Sequence, residues 1–271
     1  MKFRHIMYFF LITLPLCVLL RTLQLIFTIE GTTGFIKRQY NGISIGILVV
    51  IIAAIAVVSV TAASVNRPPY DRHNMRPGLA LFSIALGVAF IYELTQFVGE
   101  VNVNLLQNFV FIVLCFLSAL FFMAYGITNV YYFKLPPILF VIPVLYSVAK
   151  LVVSFISVSA IALITDNVFM LLANSAILIF MLEFAKYANN INDEVNYKKL
   201  LASGISAVIL CFTSTIPQLI TSAITKSQIV HASVASIFTT IFIGLFILSF
   251  LVSFYSDKSI LYQEHNNSHL A

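Results

Sequence analysis

Residues 43–65 read ISIGILVVIIAAIAVVSVTAASV, twenty-three positions without one charged side chain. As a helix rising 1.5 Å per residue, such a stretch is about 35 Å long, enough to cross the ~30 Å hydrocarbon core of a bilayer. Polar and apolar residues do not alternate with period two, so the stretch does not fit a barrel strand. It reads as a membrane-spanning helix, and the pattern recurs along the chain.

Seven further apolar runs follow the same reading, over about 7–28, 78–98, 105–125, 138–163, 167–187, 200–222 and 235–255. Turn-forming residues separate them, including Thr32-Thr33-Gly34, Pro68-Pro69 and Pro136-Pro137. The expected fold is an all-α polytopic transmembrane bundle of about eight spans. Residues 1–256 form a single integral membrane domain and 257–271 a short polar cytoplasmic tail. Met1–His5 is basic and precedes apolar residues, as in a signal peptide, but that run extends to about Ile29 and no small-x-small site follows. It is read as a retained first helix.

Composition supports this reading. Of 271 residues, 61% are hydrophobic and only 9% are charged, too few to cover the surface of a soluble domain of this size. The net charge of +5 is assigned to loop residues beside anionic headgroups, and no nucleic-acid partner is expected. Cys17, Cys115 and Cys211 fall inside apolar runs without metal-ligand spacing, so no metal or cofactor is expected. The five histidines are terminal or in loops, and no HExxH, GxSxG or P-loop occurs, so no enzyme is expected.

Orientation follows from Lys and Arg in the short loops. With the N-terminus inside, the cytoplasmic side carries ten: Lys2, Arg4, Arg67, Arg72, Arg76, Lys134, Lys186, Lys198, Lys199 and Lys258. The outer side carries three: Lys37, Arg38 and Lys226. Both termini are therefore placed in the cytoplasm, and the plasma membrane is the expected location.

Four ionisable residues lie within the spans: Arg21, Glu93, Lys150 and Glu183. A charge at the bilayer centre costs at least ~2.5–3.5 kcal/mol on insertion scales, so each needs a partner, water or a purpose. Glu183 has Lys186 three residues on and is read as interfacial. In the outer half, Arg21 and Gln24 share one face of the first span, and Glu93 and Gln96 one face of the third. Asn174 and Gln218 lie at comparable depth, and Lys150 sits mid-span without a dedicated partner. Arg21 and Glu93 have opposite charges at similar depth and are expected to pair, as structural glue or as part of a site, unless Arg21 snorkels to the outer headgroups. Lys150 shares Glu93, binds an anionic ligand, or is held uncharged by burial. Pro217 frees a carbonyl one turn earlier, and Thr213 and Ser214 offer hydroxyls to satisfy such groups.

The leading functional expectation is a small permease or transport component with an outward-facing polar pocket. Its ligand-binding candidates are Arg21, Gln24, Glu93, Gln96, Lys150, Asn174 and Gln218, and its ligand a small or anionic solute from outside. The alternative is a membrane receptor or accessory subunit without transport, holding a partner protein at cytoplasmic loops 66–77 and 188–199. The topology itself is testable. A C-terminal fluorescent fusion after Ala271 is expected to be bright, and alkaline phosphatase fusions at Thr33 and Ser227 active; the reversed pattern would invert the orientation.

Overall fold

The computed structural model describes residues 3–28, 38–64, 77–99, 105–131, 135–160, 165–189, 193–225 and 233–255. They form eight α-helices: α1 (Phe3–Thr28), α2 (Asn41–Ala63), α3 (Pro77–Gly99), α4 (Leu105–Tyr131), α5 (Val141–Ala160), α6 (Thr165–Ala188), α7 (Asp193–Thr225) and α8 (Val234–Tyr255). Short 3-10 turns over Arg38–Tyr40 and Pro137–Phe140 lead into α2 and α5. All eight helices are long and apolar enough to cross a membrane. The chain is thus a multi-pass integral membrane protein. With eight crossings, both termini lie on one side of the bilayer.

Helix α7 is the axis of the bundle. In its apolar window 83% of residues are buried, against 22% in α2. It packs against α1, α2, α6 and α8. A second layer joins α3 to α4 and α8, and α5 links α4 to α6. Each span read from hydropathy corresponds to one helix, but α4 runs six residues past the expected end at 125, α7 starts seven residues before the expected 200, and 161–163 of the fifth span lie outside the described residues. Residues 193–199, read as part of a loop, begin α7, because Tyr197, Leu200 and Leu201 are all buried and continue its i, i+3, i+4 stripe. At 33 residues, α7 is about 50 Å long and overhangs the hydrocarbon core. The other parts of the proposed docking loops, 66–76 and 190–192, lie outside the described residues, as does the 257–271 tail.

Two packing devices set the frame. First, α3 and α4 approach closely at reciprocal glycines. A Cβ on Gly87 would lie 3.1 Å from the Ala119 carbonyl oxygen and 2.5 Å from Met123 Cγ. One on Gly126 would lie 3.0 Å from the Ala80 carbonyl oxygen and 2.6 Å from Ile84 Cγ1. Without a hydrophobic drive between helices in lipid, such backbone proximity supplies the van der Waals attraction that holds them. Second, aromatic rings fill the half of the bundle nearer the termini. Phe184 of α6 touches Tyr125 of α4, Phe140 of the 3-10 turn, and Phe246 and Phe250 of α8, with centroids 5.2–5.9 Å apart. Phe122 joins through Phe246 at 5.1 Å, and Phe121 through Phe140 at 5.3 Å. Most of these pairs are edge-on, the favourable arrangement for ring quadrupoles. Tyr125 and Tyr187 also belong to this cluster.

Gly87→Val or Gly126→Val is expected to overpack the α3–α4 contact and destabilise the protein by about 1–3 kcal/mol. Gly46→Val, where nothing lies within 4 Å of the added carbon, is expected to be near neutral. Reversible SDS unfolding followed by circular dichroism would compare the three; equal effects would refute the close-packing account.

Candidate functional site

Lys150 lies midway along α5, and Tyr146 is one turn before it on the same face. Glu93 stands on α3, six residues before its end. Side chains lean toward the N-terminus of their helix, so Glu93 tilts back from the outer surface toward the membrane centre. The Lys150 ammonium meets Glu93 Oε1 at 3.2 Å, and the Tyr146 hydroxyl donates to Glu93 Oε2 at 2.9 Å. Both carboxylate oxygens are thereby engaged. The same ammonium lies 5.7 Å from the centre of the Tyr146 ring. Phe90 meets that ring edge-on at 4.7 Å, and Phe111 lies 5.5 Å away. Cys115 of α4 adds a thiol contact to the Phe90 carbonyl at 3.4 Å. Lys150 is 7% exposed, Tyr146 2% and Glu93 1%, so this set is closed to solvent.

Arg21 belongs to a different set. Its guanidinium donates to Gln24 Oε1 at 2.6 Å and lies 4.3 Å over the ring of Phe169 on α6. The Gln24 amide donates onward to the Ser44 hydroxyl and carbonyl of α2, at 2.6 and 2.9 Å. Arg21, Gln24 and Ser44 are each 1% exposed. The expected Arg21–Glu93 pair is therefore corrected to Lys150–Glu93. The reason is the order of packing: α1 lies on α2 and α7, while α3 lies on α4 and α8. Similar depth along two helices did not make them neighbours.

The other candidates are dispersed. Asn174 is buried and donates to Ser154 Oγ at 2.9 Å, one turn beyond Lys150 on α5. Gln96 is exposed, together with Tyr92 and Thr95 on the last turns of α3, so it does not share the environment of Glu93. Gln218 is half-buried on α7. Glu183 and Lys186 form the expected pair at 2.9 Å, with the Lys186 side chain 36% exposed. The expected outward-open pocket is not open in this conformation, because packing covers Glu93, Lys150 and Arg21 alike.

The hydroxyls near Pro217 also differ from expectation. Ser214 and Thr215 both donate to the Cys211 carbonyl, at 3.0 and 2.6 Å. The carbonyl that Pro217 deprives of a donor is that of Thr213. Thr213 Oγ1 itself has no hydrogen-bond partner among the described residues. Helix α7 nonetheless runs unbroken through the proline.

Sequence reading missed Tyr146, Ser44, Ser154 and Phe169. Tyr146 carried a usable signal, its i, i−4 position relative to Lys150. Ser44 and Ser154 carried none, since isolated serines in membrane helices usually bond their own backbone. Comparison with protein-family models, curated proteins and solved structures gives no match. The functional argument therefore rests on the geometry.

Removing one partner of a buried pair strands the other charge. Lys150→Met is expected to cost about 3–5 kcal/mol, and the double variant Glu93→Gln/Lys150→Met less than the two single costs combined. Arg21→Met and Glu93→Gln are expected to add independently. A double-mutant cycle in SDS unfolding measures both, and coupling of Glu93 to Arg21 rather than to Lys150 would reverse the assignment.

Proposed function

We propose that the protein is a small permease or transport component of the plasma membrane, with Glu93, Lys150 and Tyr146 as its solute-handling groups and no catalytic chemistry. The observation that carries this reading is the desolvated Glu93–Lys150 pair, held between α3 and α5 with α4 packed against both. A buried ion pair is weak glue, because well-packed apolar residues of similar volume stabilise as much or more. Intramembrane charges that persist despite this usually mark an ion or solute path.

The polarity of the two halves supports the same reading. The aromatic cluster plugs the half nearer the termini, while the Arg21–Gln24–Ser44 and Asn174–Ser154 sets occupy the other. A transporter closed toward the cytoplasm and occluded toward the outside would have this arrangement.

One observation favours the accessory-subunit reading. Helix α2 exposes most of its surface, and nothing lies within 4 Å of a Cβ placed on Gly42 or Gly46. A partner helix would fit such a face, and co-purification of a stoichiometric partner would support that role.

The permease reading is tested by uptake. Cells expressing the protein are profiled for solutes accumulated beyond the empty-vector control, and the solute found is then followed in proteoliposomes. Glu93→Gln and Lys150→Met variants that remain folded are expected to lose about tenfold or more of the uptake, the scale of a lost buried charged contact. Undiminished uptake in both would sink the proposal.

A further inference from the structure

We infer that the Glu93–Lys150 set takes up one proton together with one small monocarboxylate. The inference rests on the transport reading for its physiological direction, but its chemistry stands on the geometry of the pair. In the closed structure the set holds one negative and one positive charge, and its net charge is zero. An anion that enters alone would leave two negative charges facing one ammonium in a site sealed from water. Like charges in one desolvated site are strongly disfavoured. A proton delivered from the outer aqueous phase to Glu93 removes the conflict. The carboxylate becomes a neutral acid, Lys150 is released, and the incoming anion restores the balance.

The hydrogen bonds permit this exchange. Glu93 Oε1 faces Lys150, whereas Oε2 accepts from the Tyr146 hydroxyl. A proton placed on Oε1 therefore breaks only the ion pair. The neutral acid stays anchored through Oε2 to Tyr146, so protonation frees the ammonium without setting Glu93 adrift. Among the described residues, the surroundings supply no competing charge at hand. From α4 the titratable group beside Glu93 is the Cys115 thiol, and from α5 the groups are Tyr146 and Lys150. Helix α8 contributes the Thr239 hydroxyl, bonded to the Ala89 carbonyl of α3, and no charged residue occurs in its sequence. On the other side of Lys150, α7 presents Cys211. On α6, Glu183 is already paired with Lys186 and lies nine residues, about 13 Å, along the helix from Asn174.

Ligand class follows from the same walls. One ammonium balances one negative charge, which disfavours dianions. The Tyr146 ring, 5.7 Å from the ammonium, packs against Phe90 and Phe111, and this apolar wall suits a carboxylate carrying a short apolar body.

Propionate is the probe, titrated by calorimetry into the purified full-length protein in detergent, in two buffers of different ionisation enthalpy. The expected result is uptake of one proton per propionate bound, with apparent affinity falling about tenfold per pH unit as the pH rises. Glu93→Gln, which mimics the neutral acid and keeps an oxygen for Tyr146, is expected to bind propionate without proton uptake. Lys150→Met is expected to lose binding. Propionate binding by the wild-type protein without a proton, unchanged proton uptake in Glu93→Gln, or no propionate binding at any pH from about 5 to 8 would each overturn the inference. The wild-type proton count does not depend on any variant folding. Proton-linked binding without vesicle flux would support this inference while removing the permease reading; solute flux indifferent to protons would do the reverse.

Discussion

An ammonium or carboxylate left alone in hydrocarbon is the one arrangement this bundle must avoid, and the Glu93–Lys150 pair is its solution in the α3–α4–α5 layer. Meeting that constraint fixes more than two side chains. Glu93 must face inward from the C-terminal third of α3, Lys150 must meet it from the middle of α5, and α4 must pack against both helices. Tyr146 completes the set because a carboxylate has more lone pairs than a single ammonium satisfies. The rings of Phe90 and Phe111 in turn pack against that of Tyr146.

The frame around the pair relies on different physics. Gly87 and Gly126 let α3 and α4 touch at backbone distance, which gives the pair one rigid wall. Gly204 and Gly244 make room instead for side chains at the central helix: added carbons there would lie 3.2 Å from Leu251 and Phe180, and 3.1 Å from the Cys211 side chain. The aromatic cluster closes the opposite half with interlocked rings. Dispersion and ring geometry hold it, so it contains no charge to compensate. The rings thus gather in one half, beside the Glu183–Lys186 pair, and the Arg21–Gln24–Ser44 and Asn174–Ser154 sets lie in the other.

How much of this was legible in the sequence depended on the range of the signal. Span number and position were legible because twenty apolar residues in a row leave few alternatives in a bilayer. The Glu183–Lys186 pair was legible because both partners lie on one helix, three residues apart. Glu93 and Lys150 were legible as residues in need of partners, but their mutual pairing only as one of three alternatives for Lys150. Pairing between helices depends on which helices adjoin, and hydropathy records depth without adjacency. Arg21 and Glu93 lay at matching depth with opposite charge, yet α1 packs on α2 and α7, and the guanidinium settles over Phe169. Gln96 failed for a related reason. Sharing a helical face with Glu93 near the end of α3 did not ensure cover, and the residue is exposed.

The two buried cations differ in what they can do. A guanidinium keeps its proton under all conditions a protein meets, so Arg21 is a fixed charge, and Gln24, Ser44 and Phe169 are arranged around it as around an immovable object. Lysine and glutamate have no such constraint. Each can exist charged or neutral, and each state of one changes what the other must do. Under the proposed transport reading, a cycle that moves charge through this bundle therefore cannot use Arg21 as its switch. Under that reading the switching element lies where protonation and pairing can both change; of the two Glu–Lys pairs among the described residues, Glu93–Lys150 has both partners buried, whereas Lys186 beside Glu183 is 36% exposed.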